Sequence, residues 1–128
     1  MLSVKALLSK ILQTDLVIER GTDTNGWDYK KYSSGWYEAA RKYNASGLNI
    51  TDLSAGTYYG AAKEVQTPSF SIATNYCFAT NTASQSSGVY VYNIDTVSAS
   101  KFTIRYRAHS SVTNAKCGAY IYIWGKWK

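Results

Sequence analysis

Two segments near the C-terminus alternate between core-type and outward-type side chains at every second residue. In KFTIRYRAH, residues 101–109, the side chains on one side are Phe102, Ile104, Tyr106 and Ala108, and those on the other are Thr103, Arg105, Arg107 and His109. In AYIYIWGKW, residues 119–127, the corresponding groups are Ala119, Ile121 and Ile123, and Tyr120, Tyr122, Trp124 and Lys126. A period of two is that of a β-strand with one buried face. The first group of each segment is therefore predicted to face a core.

Other short segments of the chain are also typical of strands, because Tyr, Val, Ile and Thr dominate them and turn sequences separate them. They are DLVIERG, WDYKKY, WYEAARKY, LNITDL, SIATNYCFATN and VYVYNID. SSG, between WDYKKY and WYEAARKY, predicts a hairpin, and a helix over residues 36–43 is the alternative. SSVTNAKCG is predicted to be a loop, and residues 54–70 stay ambiguous. Seven or eight short strands predict an all-β fold, an antiparallel β-sandwich or barrel.

The N-terminus differs from the rest, because residues 3–13 show helical spacing of apolar side chains. The apolar stripe that we assign to oligomerisation or anchoring consists of Val4, Leu7, Leu8 and Ile11. It packs either on its own domain or in a short bundle with other copies. We therefore divide the chain into an amphipathic helix, 1–14, and a β-domain, 15–128. No stretch reaches the ~20 apolar residues of a membrane-spanning helix, so membrane insertion is not expected.

The distribution of charge argues against a nucleic-acid partner, and the two cysteines allow two interpretations. The formal charge is +6, but the basic residues are scattered in pairs at most, whereas nucleic-acid binders concentrate them on one face. We therefore expect no nucleic-acid partner. Cys77 and Cys117 are expected to be small, reduced and buried, although a single disulfide is the alternative.

No catalytic set stands out from the sequence. The one histidine, His109, lies beside arginines that disfavour a general base, and no metal-ligand or phosphate-binding spacing is present. Asp28 and Glu38 are the best available glycosidase pair, but each is expected to pair with a nearby Lys or Arg. We therefore predict a protein that is not an enzyme and that has neither a metal nor a cofactor.

The stretch GWDYKKYSSGWYEAA resembles the opening motif of small β-domains at the C-termini of phage and prophage tail fibre proteins, W-x-Y-R-K-[WY]-x-[SD]-G-[WIL]-x-E. The matching positions are Trp27, Tyr29, Lys30, Lys31, Tyr32, Ser34, Gly35, Trp36 and Glu38. The ending Trp124-Gly125-Lys126-Trp127 is similar to the closing Gly-[KR]-[WF] of that family, and DLVIERGTD is similar to its lead-in. Lys30 stands where arginine is common, and Ala39-Ala40 replace the usual Gln or Cys.

The resemblance implies a trimeric β-sandwich similar to the H-type lectin fold, carried on a virion that is assembled in the bacterial cytoplasm. Its implied role is receptor binding and host attachment, with other virion proteins and a host cell-surface glycan as partners. The structural positions would be Trp27, Tyr29, Gly35, Trp36, Glu38 and Trp127. The alternatives are a head fibre or decoration protein without a specific ligand and a bacterial lectin-like carbohydrate-binding module.

Ligand contacts are expected where aromatic rings meet polar side chains, because sugars stack on rings and polar neighbours fix their hydroxyls. The candidate residues are Tyr90, Tyr92, Arg105, Arg107, His109, Tyr122 and Trp124. An arginine row suits an anionic glycan, but it equally suits acidic groups across a trimer interface. The aromatic row of the last strand is likewise open to three interpretations: a second core, a subunit interface or a ligand platform.

Overall fold

The chain is all-β with antiparallel strand pairs in a computed structural model, which describes residues 3, 4, 15–82, 85–96, 98 and 100–128. The strands of these residues are β1 (Val17–Thr22), β2 (Asp28–Tyr32), β3 (Trp36–Ile50), β4 (Asp52–Ser54), β5 (Thr57–Tyr59), β6 (Lys63–Gln66), β7 (Ala73–Asn81), β8 (Val89–Thr96), β9 (Lys101–Ala108) and β10 (Val112–Lys126). The predicted all-β antiparallel class is confirmed. The predicted N-terminal helix, with Leu7, Leu8 and Ile11, lies outside the described residues apart from Ser3 and an exposed Val4.

The strands form two five-stranded sheets. The first sheet has the order β1-β2-β3-β10-β7, and in it β3 and β10 pair from Trp36 opposite Lys126 to Ile50 opposite Val112. In the second sheet β9 is central: β5 and β6 pair with one of its edges and β8 with the other, and β4 pairs with β5. The sequence neighbours β9 and β10 thus lie in different sheets.

One buried cluster draws its side chains from both sheets. The buried members from the first sheet are Tyr37, Ala39, Leu48, Ile50, Ala115, Cys117, Ala119, Ile121 and Ile123, and those from the second are Val65, Val89, Phe102, Ile104, Tyr106 and Ala108. The core-facing groups predicted for β9 and β10 are therefore confirmed.

Trp27, in the turn between β1 and β2, joins the two sheets. Its side chain is 0% exposed, and its ring meets that of Phe102 edge-on at 6.0 Å. Its Nε1–H donates a 2.8 Å hydrogen bond to the Gln66 carbonyl at the end of β6. A buried indole needs such an acceptor, so Trp27 both fills the core and fixes the position of β6.

The number of strands is higher than predicted, ten among the described residues rather than seven or eight. LNITDL is not one strand, because residues 48–50 end β3 in the first sheet and Asp52 begins β4 in the second. The loop predicted for SSVTNAKCG is also wrong, since β10 already begins at Val112. Its inward-facing residues there, Ala115 and Cys117, are small, and the polar residues between them hid the alternation.

The hairpin predicted around SSG is present as β2 and β3, so the alternative helix over residues 36–43 is wrong. Gly35 has φ of +93°, a conformation that glycine adopts without the steric cost of a side chain. Trp127 closes the hairpin from the C-terminus: its backbone N–H donates to the Gly35 carbonyl, and its indole donates to the Tyr32 carbonyl. Beside it, Lys31 Nζ lies 4.4 Å from the centre of the Phe70 ring, whose own centroid is 4.6 Å from that of Tyr29.

The two cysteines are free. Cys77 of β7 pairs with Ile123 of β10. Ile123 is six residues from Cys117 along β10, which corresponds to roughly 20 Å of extended strand. A disulfide requires Cα atoms within about 7 Å, so this fold does not pair them. Burial raises the pKa of Cys77 to about 12 and that of Cys117 to about 11.

Candidate functional site

The seven candidate ligand residues lie on the outer surfaces of two different sheets. Tyr92, Arg105 and Arg107 meet on the second sheet, with Tyr90 and His109 beside them. Tyr122 and Trp124 belong to β10 and face outward on the first sheet. The two groups therefore form two surfaces rather than one site.

The first of these surfaces is a concave site of about 310 Å³ on the second sheet, which we call the arginine–tyrosine cavity. Its lining residues come from β4, the end of β5, β8 and β9: Ser54, Tyr59, Gly60, Tyr92, Asn93, Arg105, Tyr106 and Arg107. The lining combines the two guanidinium groups with the rings of Tyr59 and Tyr92 and contains no carboxylate, whereas the side chain of Tyr106 is buried in the core. Such a mixture of flat apolar surface and a few directed polar groups is typical of a small-ligand site.

Arg107 is the most constrained side chain of the cavity. Its Nη1 donates hydrogen bonds to Thr57 Oγ1 at 2.6 Å and to the Ser54 carbonyl at 3.3 Å. Its Cζ lies 4.2 Å from the centre of the Tyr92 ring and 5.8 Å from that of Tyr59. The Nε–H is buried and has no hydrogen-bond partner among the described residues. None of the described carboxylates forms an ion pair with Arg107, so its charge has no counter-ion among these residues.

A β-bulge in β8 shapes the opposite wall. Val91 pairs with Tyr106 and Asn93 with Arg105, so Tyr92 is an extra residue without a partner in β9. In a regular strand Tyr92 and Asn93 would point to opposite faces, whereas here both line the cavity. Alternation in VYVYNID identified Tyr90 and Tyr92, but no feature of that sequence signals the bulge, and Asn93 was therefore missed.

Tyr90 and His109 lie next to the cavity rather than in its lining. Their rings are 5.4 Å apart between centroids and tilted by 35°, at the end of β9 where Tyr90 pairs with Arg107. Tyr59, which sequence analysis also missed, pairs with Arg107 from the other side through β5. Strand pairing thus places one tyrosine on each side of Arg107, Tyr90 in β8 and Tyr59 in β5.

The second surface is the aromatic face, which we define as the outer rings of the first sheet. It consists of Trp36, Tyr76, Phe78, Tyr120, Tyr122 and Trp124. Trp124 contacts Trp36 at 5.9 Å and Tyr76 at 6.1 Å between ring centroids, and Phe78 contacts Tyr122 at 5.4 Å. Exposure nevertheless remains 67% for Tyr76, 54% for Phe78, 53% for Tyr120 and 46% for Trp124. So large a group of solvent-exposed rings is typical of an interaction surface.

A second cavity, of about 410 Å³, borders the aromatic face over the β1–β2–β3 edge, and we call it the hairpin cavity. Asp28, Lys30, Glu38 and Tyr122 are among its lining residues. Tyr122 Oη donates a 2.7 Å hydrogen bond to Glu38, whose carboxylate also lies 3.8 Å from Lys30 Nζ. This bond from Tyr122, assisted by Tyr32 and Lys30, lowers the pKa of Glu38 in spite of its partial burial. The pKa of Tyr122 rises to about 12, through burial first and then through the same bond.

This arrangement does not favour acid–base chemistry at the glycosidase pair suggested by the sequence. A general acid for glycoside cleavage needs a raised pKa, and the pKa of Glu38 is shifted the other way. Asp28 accepts a 2.7 Å hydrogen bond from Thr22 Oγ1. Both carboxylates therefore serve hydrogen bonds within the sheet.

Within the part of the chain that the structure describes, no group of three or more His, Cys, Asp and Glu side chains is placed to hold a metal ion. None of the described residues forms a helix long and apolar enough to span a membrane. Comparison of the chain with protein-family models, with curated proteins and with solved structures found no match.

Proposed function

We propose that this chain is a non-catalytic receptor-binding domain of a phage or prophage tail fibre, which attaches the virion to a glycan on the host cell surface. The observation that carries the proposal is the arginine–tyrosine cavity, in which tyrosine rings and guanidinium groups converge. Its walls are strands and a short hairpin of one sheet, so the site is rigid before the ligand arrives. Rigidity reduces the entropy that is lost on binding.

The geometry supports a sugar because flat rings and directed hydrogen-bonding groups stand side by side. Arg107 Cζ lies 4.2 Å from the centre of the Tyr92 ring and covers one face of it, but Tyr92 is more than half exposed, so a pyranose can stack on the other face. Asn93 and Arg105 provide an amide and a guanidinium that bind hydroxyls. The motif likeness around Trp27 and Trp124 agrees with this role.

The finer architecture belongs to the same proposal. The two sheets and their common core support a β-sandwich, and the three-copy assembly would bury the aromatic faces against one another. The helix of residues 1–14 would add an oligomerisation or anchoring contact. On this proposal the partners are further copies of the chain, other virion proteins and the glycan.

A second candidate function rests on the aromatic face. A domain that only decorates a particle needs one exposed apolar surface for docking and no ligand cavity. The exposed rings around Trp124 provide such a surface. This candidate predicts assembly without glycan binding.

The experiment that separates the two candidates is a glycan array that carries neutral and acidic bacterial polysaccharides, probed with the purified full chain. The attachment proposal predicts selective binding that Tyr92→Ala weakens about tenfold. Leu53→Ser, which removes an exposed apolar side chain outside the cavity, should leave the binding intact. Absence of binding to every glycan, by a folded and assembled protein, would leave the decoration role as the better account.

A further inference from the structure

We infer that the glycan is anionic, and that Arg107 and Arg105 bind its carboxylate or phosphate group in the arginine–tyrosine cavity. This inference rests on the proposed function and names the chemistry of its ligand. The first observation behind it is the incomplete pairing of Arg107. Thr57 and Ser54 hold Nη1, and Tyr92 covers the guanidinium plane, while the buried Nε–H has no acceptor among the described residues.

An unpaired Nε alone would not indicate a ligand, as a second arginine shows. Arg41 in β3 also has a buried Nε without a partner, and its Nη1 donates to the Asn25 carbonyl at 2.6 Å. It stacks on Trp27 and Tyr43, and it lines neither cavity described above. Arg107 differs because its side chain lines an open site. The cavity, rather than the missing hydrogen bond, distinguishes the two arginines.

The second observation is the neighbouring cation. Arg105 lies two residues from Arg107 on the same face of β9, which separates the two Cα atoms by roughly 7 Å. It is exposed and has no ion-pair partner in the described part of the chain. Two guanidinium groups at this spacing can bind both oxygens of one carboxylate or phosphate, or one anionic group each.

The third observation is the distribution of acidic groups on this sheet. Glu64 and Asp95 both pair with Thr103, two residues from Arg105 along β9, and Asp52 pairs with Tyr59. Glu64 is paired with Lys101 at 3.2 Å, and Asp95 accepts a 3.1 Å hydrogen bond from Asn93 Nδ2. No carboxylate lines the cavity, so its two cations lack an internal counter-ion there. An anionic ligand supplies that missing charge.

Single-stranded nucleic acid also combines negative charge with rings that stack on tyrosine. It requires a basic track that continues along the surface beyond one site. Here Arg20, Lys30, Lys42 and Lys126 belong to strands of the first sheet, Lys101 of β9 is paired with Glu64, and the cavity holds about 310 Å³. A compact site with two cations fits an acidic sugar better than a polynucleotide.

The test is a calorimetric titration of the full chain with four probes. They are an oligogalacturonate, which carries carboxylates, a glycerol phosphate oligomer, which carries phosphodiesters, a neutral galactan oligosaccharide and an oligothymidylate. We expect at least one of the two acidic probes to bind more tightly than the neutral one, with an affinity that falls as salt is added. The two acidic probes separate carboxylate from phosphate recognition.

Two variants localise the binding. Arg107→Gln, which removes the charge but keeps a polar side chain, should weaken the binding of the acidic probe about tenfold or more. Arg20→Gln removes an exposed arginine that lines the hairpin cavity, so it changes the net charge equally. It should leave the affinity within about twofold of that of the parent protein. Equal losses in both variants would attribute the binding to net charge and overturn the inference.

The failure of this inference is distinguishable from the failure of the proposed function. Tighter binding of the neutral galactan than of either acidic probe would overturn the anionic ligand but retain glycan attachment. Tighter binding of the oligothymidylate than of every oligosaccharide would overturn both. Binding of an acidic probe that Arg107→Gln leaves unchanged would remove this cavity as the anion site, with circular dichroism to confirm that each variant is folded.

Discussion

The outer faces of the two sheets use the same aromatic residues in different surroundings. On the first sheet Trp124 touches Trp36 and Tyr76, Lys126 Nζ lies 5.2 Å from the centre of the Trp36 ring, and four of the six rings are about half exposed or more. On the second sheet Tyr92 and Tyr59 flank Arg107 in a cavity with hydrogen-bonding groups. The first face is mainly contiguous aromatic surface, whereas the second combines rings with hydrogen-bonding groups around a cavity. We therefore propose that the aromatic face serves assembly and that the cavity serves ligand binding.

The largest expected effect comes from a residue on which both faces depend. Trp27→Ala removes a buried indole between the sheets, together with its hydrogen bond to the Gln66 carbonyl. We expect the free energy of unfolding to fall by about 3–5 kcal/mol, with loss of both assembly and binding. Denaturant titration followed by tryptophan fluorescence measures the change. A loss below about 1 kcal/mol would mean that the faces do not share one core.

The next effect should separate the two faces. Tyr76→Ser with Phe78→Ser removes two exposed rings from β7, and each buried aromatic side chain contributes about 1.5–3 kcal/mol to an interface. We expect the dissociation constant of the assembly to rise about a hundredfold or more, while each domain keeps its affinity for a short oligosaccharide. Light scattering over a range of concentrations measures the first quantity. Leu53→Ser is the control, and an unchanged assembly in the double variant would assign its contacts to another surface.

A smaller effect is expected from the wall of the cavity. Tyr92→Ala removes both the stacking surface for a sugar and the ring over Arg107, so glycan affinity should fall about tenfold. Tyr92→Phe keeps the ring, so its glycan affinity should fall less than threefold. The light-scattering mass should stay the same in both variants. A glycan affinity that survives in Tyr92→Ala would show that the ring does not contact the ligand.

The smallest effect is the pH dependence contributed by Glu38. Hydrogen bonds from Tyr122 and Tyr32 and the charge of Lys30 lower its pKa from its ordinary value of 4.5. Its contribution to stability is therefore present above pH 4.5 and is lost as the pH falls through the lowered folded-state pKa. Glu38→Gln should flatten the decrease in stability as the pH falls below 4.5. Asp52→Asn removes an exposed carboxylate of the second sheet and is the control for this measurement.

Sequence analysis predicted most where one strand face is buried and the other is not. In β9 and β10 the alternation placed Ile104 and Ile121 inward and Arg107 and Trp124 outward, as the structure has them. A period of two determines both faces at once, so one correct assignment fixes every residue of a segment in which the period is not interrupted.

Prediction failed where geometry depends on pairing rather than on composition. The bulge that brings Asn93 beside Tyr92 comes from the register between β8 and β9, which the local sequence does not encode. Tyr59 joins Arg107 only because β5 pairs with β9, a strand that lies far from it in the sequence. The start of β10 was missed because Ala115 and Cys117 are too small to give a strong apolar signal. The sequence thus predicted several residues of the cavity one by one, but it did not predict that they form one site.

The most direct test of the assignment of the two faces is an NMR titration that follows the side-chain N–H signals of arginine and tryptophan. Arg107 Nε–H reports on the cavity, the Trp124 indole on the aromatic face, and the buried Trp27 indole serves as an internal reference. With a saturating acidic oligosaccharide, the account predicts a shift of the Arg107 signal and an unchanged Trp124 signal. A shift of Trp124 with no change at Arg107 would contradict it and place the ligand on the aromatic face.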